Sequence, residues 1–268
     1  MSANTGALRA GPSTGRATVI GDVFGQVVAV CHARGGLPGH AFEVSERDDG
    51  HQSSIDAAVY FADLAATTPA LRTVLAHADG RVLDVGCAAG SRARWLQRRG
   101  MDVVGLEESP GAAAVARNRG VAVVEGSLQD PPAGLGRFDT FLLLGGGLSR
   151  LGNPEQARRM LAALAWHARP GAQILGDCAE PVPSGSADRA PGRVRVRLRD
   201  GAVVSEWHDR WLLTPDELLG VLDGTGWRLA DLWPNDSGYA VRLRRRPPRA
   251  EVLAPTAPVP VAMTRWRI

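Results

Sequence analysis

The segment Val82-Leu83-Asp84-Val85-Gly86-Cys87-Ala88-Ala89-Gly90 constrains this chain more than any other. A short, nearly continuous apolar run reads as a strand covered on both faces. It ends in small residues and passes directly into a helical pattern, Arg92 to Arg99. Such a bend lets a ligand press against bare backbone at the start of a helix. The alternation then continues. A strand at Val103 to Leu106 precedes a helix at Pro110 to Arg119 that Gly120 closes, and strands follow at Val121 to Val124 and Phe138 to Leu144. A helix at Pro154 to His167 stops before Arg169-Pro170-Gly171, and Ala172 to Gly176 is a fifth strand. Repeated β-α units specify an α/β fold with a doubly wound, mostly parallel sheet.

The flanking regions have a different grammar. Residues 1–78 read as a leader followed by a helical cap: Phe24, Val27, Val28 and Cys31 recur at helical spacing, and Gly35-Gly36 ends the helix. Phe42 to Arg47 is a short strand stopped by Asp48-Asp49-Gly50, and Ala57 to Leu64 and Pro69 to His77 are helical, the latter with Thr68 as N-cap. Residues 79–180 form the ligand-binding core. Residues 181–246 begin with a Pro/Gly/Ser loop and carry an inserted antiparallel hairpin, with Asp200-Gly201 as its turn. Counting outward pairs Leu198 with Val203, Arg195 with Glu206 and Arg193 with His208, which places Val194, Val196, Leu198, Val203 and Trp207 on a buried face and His208 with the arginines. Thr214-Pro215-Asp216-Glu217 is a capping box, and Trp227 to Trp233 with Tyr239 to Leu243 close the sheet as an antiparallel pair. Residues 247–268 are a Pro-rich tail.

Composition narrows the class. The net charge is +3, and all 31 basic residues are arginine, so the basic balance reflects residue usage and not a binding stripe. The densest cluster, Arg242 with Arg244 to Arg246, lacks interleaved aromatics, which argues against nucleic acid as partner. Cys31, Cys87 and Cys178 are widely spaced, with no zinc-ligand pattern, so no metal is expected. No apolar run reaches the length of a membrane span, and Met1 to Arg16 has no apolar signal core. These features point to the cytoplasm and to a small-molecule substrate.

The glycines do not fit the dinucleotide fingerprint. Gly86 and Gly90 flank Ala88, and Ser91 stands where a third glycine would fall. Glu107-Glu108 ends the next strand, about twenty residues past Gly86, where a carboxylate can accept both hydroxyls of an adenosine ribose. V-L-D-V-G-C-A-A-G, followed by G-L-E-E-S-P and A-A-A-V-A-R-N-R-G, resembles the class I S-adenosylmethionine (SAM)-dependent methyltransferases. The likeness covers residues 80–180 and extends loosely to 227–243. It implies a Rossmann-like sheet of the seven-stranded type and SAM as cofactor. It also implies that Asp84 orients the glycine turn near the methionine amino group, and that Gly86, Cys87, Ala88 and Gly90 line the methionine and ribose. Glu107 would hold the ribose hydroxyls and Glu108 border the adenine; Ser127 and Leu128 would face the ring, and Gly145 and Gly146 the methionine end. This chain departs from the family at Ala88, which needs ordinary torsions to carry its methyl group. It departs again at Glu107, longer than the usual aspartate, and at Gly145 to Gly147, which offer no side chain.

Methyl transfer from a sulfonium is an in-line displacement that demands alignment, with a base only if the acceptor must lose a proton. The catalytic residue is open; His51, Tyr60 and His208 are the candidates. His167 ends a helix and reads as structural, and Trp207, Trp211, Trp227 and Trp233 read as core. The expected function is methylation of a small molecule in specialised (natural-product) metabolism. The alternatives are a non-methylating reaction such as cyclisation in the same pocket, a non-catalytic SAM-binding or scaffold protein, and an NAD-dependent oxidoreductase.

Overall fold

The computed structural model describes residues 18–63, 69–181 and 190–247. The leader, the Thr68 cap, the end of the helix expected at Ala57 to Leu64, most of the Pro/Gly/Ser loop and nearly all of the tail lie outside the described residues. The core is a seven-stranded sheet. Its parallel strands are β4 (Val82–Val85), β5 (Val103–Glu107), β6 (Ala122–Glu125), β7 (Phe138–Leu143) and β8 (Ala168–Ala179). The antiparallel pair β12 (Trp227–Asn235) and β13 (Gly238–Arg245) completes it, giving the order β12-β13-β8-β7-β4-β5-β6. Order reverses at β4, between β5 and β7, so the carboxyl end of β4 opens a crevice at the switch point, where such sheets bind ligands. The helices α2 (Pro69–Leu75), α3 (Ser91–Gln97), α4 (Pro110–Asn118), α5 (Pro154–Trp166) and α6 (Pro215–Leu222) connect the strands, with α6 opened by the Thr214/Glu217 capping box. Trp227 is fully buried; its indole N–H donates to the Leu161 carbonyl at 2.8 Å, and its ring meets Phe141 edge-on. β8 starts at Ala168, earlier than expected, because Arg169-Pro170-Gly171 forms an irregularity within the strand instead of ending the helix connection. Among the described residues no helix is long and apolar enough to cross a membrane.

A second sheet of six strands roofs the crevice. It runs β1 (Val19–Ile20), β10 (Val203–Val204), β9 (Arg193–Asp200), β2 (Phe42–Arg47), β3 (Gln52–Asp56), with β11 (His208–Trp211) also paired to β9. The cap is therefore not purely helical: among the described residues before 64 only α1 (Val23–Ala33) and a 3-10 turn at Ala57–Tyr60 are helical, and β2 joins the hairpin. Glu46, buried on β2, accepts from Arg197 Nε at 2.8 Å and Arg199 Nε at 2.5 Å, which ties the two regions together.

The hairpin register differs from the count made on the sequence. Val203 pairs with Asp200, so the turn residues are Gly201 (φ +57°) and Ala202. Past Ser205, whose hydroxyl accepts from the Leu198 N–H at 2.9 Å, the offset changes by one further residue and His208 faces Val196. That odd step flips the strand. His208 and Arg210 join the valine face and look into the protein, while Trp207 lies beneath Arg197 and Arg195, 4.7 and 5.8 Å from ring centre to guanidinium carbon.

The cap docks on the core through α1 and α4. Asp22, the N-cap of α1, accepts from the Ser109 hydroxyl at 2.8 Å and from the Gly111 N–H at 2.9 Å, so one carboxylate serves two helix starts. Gly25 and Gly111 face each other; a methyl group on either would lie within 2.8 Å of the other's Cα.

Candidate functional site

A cavity of about 440 Å³ opens at the carboxyl ends of β4 and β5. Of the residues expected to hold a cofactor, Gly86, Glu107, Glu108, Ser127 and Leu128 line it. Asp84, Cys87, Ala88 and Gly90 lie behind this wall: Asp84 is fully buried, Cys87 packs its thiol against Gly105, and Gly90 caps α3. Gly147 lines the cavity, whereas Gly145 and Gly146 do not. Glu107 is 4% exposed, and its carboxylate accepts from the Ala88 N–H at 2.8 Å and the Ser109 N–H at 3.1 Å. It thereby clamps the turn after β4 to the turn after β5. Burial pushes its pKa up, and Arg150 opposes that shift.

Ala88 adopts φ +51°, the only positive φ of a non-glycine residue among those described. Its torsions are thus not ordinary; the Glu107 hydrogen bond holds the residue in the left-handed region, which costs an alanine about 1–2 kcal/mol. Ala88→Gly is expected to raise stability by about 1 kcal/mol after the unfolded-state entropy of glycine is subtracted, as checked by urea unfolding.

Behind the cavity wall stand two acids and a guanidinium. Asp84 has neither carboxylate oxygen hydrogen-bonded, and its nearest cation is Arg92 Nε at 3.7 Å. Burial raises its pKa, with Arg92 and then Arg150 opposing. Asp177, at the end of β8, accepts from the Gly146 N–H at 2.8 Å and the Gly147 N–H at 3.3 Å, and so shapes the glycine loop. Sequence reasoning missed Asp177 and Arg92. The signal for Asp177 was present: it is an acid closing an apolar strand, Ile174-Leu175-Gly176, as Asp84 stands in β4. Burial, only partly offset by Arg92, also raises the Asp177 pKa. A carboxyl whose folded pKa is raised contributes most when protonated, below the ordinary range near 4, and loses that contribution as pH rises through the folded value. Wild type should therefore lose stability relative to Asp177→Asn as pH rises above the ordinary carboxylate range near about 4, as chemical unfolding at several pH values will show.

A second cavity, of about 690 Å³, lies between the core and the roof sheet. Glu107, Glu108, Arg150, His208 and Arg210 belong to the walls of both cavities, so the two adjoin there. All three catalytic candidates, His51, Tyr60 and His208, line the second cavity. His51 is exposed on the rim. Tyr60 donates its hydroxyl to Glu43 at 2.5 Å, and burial raises the pKa of both groups. Burial and then Arg210 lower the pKa of His208, which leaves it a neutral imidazole able to accept a proton near neutral pH. Glu43, Arg150 and Arg210 were not foreseen. Arg150 sits on the 3-10 turn Gly147–Leu151 with its guanidinium against the Cα of Gly86, where only a glycine leaves room.

A crevice at the switch point, a carboxylate-clamped glycine turn and an adjoining second chamber form a site of the kind that takes a nucleotide-like ligand. Residues 82–171 match the family model described as "Methyltransferase domain". A SAM-dependent methyltransferase from Bacteroides fragilis, solved with S-adenosyl-L-homocysteine, is 23% identical with a TM-score of 0.72, and the match covers 90% of this chain and 97% of that one. The CcbJ methyltransferase from Streptomyces caelestis is 17% identical (TM-score 0.51; 66% and 87% covered). The glycopeptide N-methyltransferase MtfA, solved with SAM, is 19% identical (TM-score 0.50; 69% and 97% covered). These identities establish a shared fold. No curated protein matches the sequence. Residues 82–171 are thus similar to a methyltransferase domain, and the chain shares the fold of the SAM-dependent methyltransferases.

The residues present fit that cofactor. Asp84 offers two buried oxygens without hydrogen-bond partners, which suit an ammonium group, and Arg92 beside it suits a carboxylate. SAM supplies an electrophilic methyl group on a sulfonium, and the chain's part is to bind, align and exclude water.

Proposed function

We propose that the protein transfers a methyl group from SAM to a small-molecule acceptor seated in the second cavity, in specialised metabolism. The observation that carries this reading is the shared wall of the two cavities at Glu107, Glu108, Arg150, His208 and Arg210. Donor and acceptor can meet there under a roof that keeps water out. In this reading Asp84 and Arg92 hold the amino-acid end of the donor, Glu107 its ribose, and Ser127 and Leu128 its adenine. His208 or the Tyr60–Glu43 pair receives a proton when the acceptor must lose one. A roofed chamber of this size favours a free metabolite over a macromolecule.

Calorimetry with S-adenosylhomocysteine and with NAD is the direct test, and only the first is expected to bind. Incubation with SAM and an acceptor pool should then yield a product heavier by one methyl group, with one S-adenosylhomocysteine per product. A product formed without donor consumption would shift the reading to cyclisation or rearrangement. Donor binding without turnover on any acceptor would shift it to a scaffold role.

A further inference from the structure

The wall of the second cavity carries two guanidinium groups that no side chain among the described residues binds. Most of the ionised groups on its wall are already satisfied. Arg197 is bound to Glu46 at 2.8 Å, Arg47 pairs with Asp49, and Glu43 receives the Tyr60 hydroxyl at 2.5 Å. Asp22 is held by Ser109 and the Gly111 N–H, and Glu107 by two backbone N–H groups. Glu108 and Glu206 are solvent-exposed, and neither forms an ion pair among the described residues. What remains is a pair of guanidinium groups, Arg150 and Arg210. Neither has a hydrogen-bond or ion-pair partner among the described residues, and both stand where the two cavities share a wall. Burial, and then the charge of Arg150, lower the Arg210 pKa to about 10.

Two guanidiniums without hydrogen-bond or ion-pair partners on a cavity wall offer charged donors to a ligand. A planar guanidinium fork matches an oxyanion in bidentate fashion, and two forks that converge on one anion turn their repulsion into attraction.

We propose that the acceptor carries an oxyanion, a carboxylate or a phosphate monoester, which Arg210 and Arg150 hold at the junction of the two cavities. The proposal rests on the methyltransferase reading given above and names the acceptor class that the reading left open. The anchored anion fixes the acceptor's orientation, and its nucleophilic atom is presented toward the wall that carries His208, Tyr60 and Glu43.

The test is calorimetry on the full chain saturated with S-adenosylhomocysteine, using benzoate, phenyl phosphate and benzamide as matched probes. At least one anion is expected to bind about tenfold or more tightly than benzamide, a difference of about 1.4 kcal/mol. Which anion binds better distinguishes carboxylate from phosphate. Arg210→Gln should erase the preference, Arg210→Lys should keep part of it, and circular dichroism melting verifies that both variants fold. The proposal is overturned if benzamide binds as well as both anions, if none of the three binds, or if the preference survives both Arg210→Gln and Arg150→Gln. Failure of S-adenosylhomocysteine to bind the wild-type chain is a separate result, and it removes the donor reading itself.

Discussion

Replacing Glu107 by alanine is expected to weaken S-adenosylhomocysteine binding by about 100-fold, or about 2.7 kcal/mol. Two effects add. A carboxylate on the cavity wall disappears, and with it the acceptor proposed for the ribose hydroxyls, each charged hydrogen bond being worth about 1.5–3 kcal/mol. The same carboxylate also holds the N–H groups of Ala88 and Ser109, at 2.8 and 3.1 Å. Its removal frees the left-handed Ala88 turn behind that wall. Glu107→Gln keeps one acceptor but sets an amide N–H₂ against a backbone N–H, and should cost about tenfold. Calorimetry gives the affinities, and melting curves separate a weakened site from a lost fold. An alanine variant that binds the donor product like wild type would remove the assignment of this cavity.

Gly25→Leu should be the most damaging single change to the cap. The side chain would be driven onto the Cα of Gly111, 2.8 Å from the new Cβ, and onto the Asp22 carboxylate. Neither backbone can retreat without separating α1 from α4. Overpacking of this kind costs about 1–3 kcal/mol, and the upper end applies because the contact is with backbone. Cap residues wall the second cavity, so turnover of any acceptor should fall by about 100-fold, more than the stability loss alone explains. Gly220→Ala is the control: it lies in α6 with nothing within 4 Å of a new Cβ, and it should leave turnover unchanged and stability equal or up to about 1 kcal/mol higher.

Much of the core was legible from residues alone. Val82 to Val85 could only be a doubly covered strand, and Gly86 to Gly90 only a tight bend, because local sterics and periodicity act over a few residues. Glu107 stands at the tip of β5 as the spacing required, and Glu108, Ser127 and Leu128 line the same cavity. The hairpin was less legible. Its alternating arginines and valines satisfy more than one register, and the offset was decided by the turn at Gly201-Ala202 and by the irregularity after Ser205. That irregularity moved His208 from an outer face to the shared wall of the cavities. Ala88 was misjudged for a related reason: its strained torsion is sustained by a carboxylate nineteen positions away.

The sequence by itself determined the parallel sheet, the order of its elements and the acid at the tip of its second strand, since these follow from short-range pattern and chain connectivity. Only the tertiary structure decided how β2 and β9 combine into one roof, that Arg150 and Arg210 share a cavity wall without a hydrogen-bond or ion-pair partner among the described residues, and that Tyr60 meets Glu43. Those contacts join residues far apart in the chain, and their energy depends on burial and on which charges neutralise one another, quantities that exist only once the chain has folded.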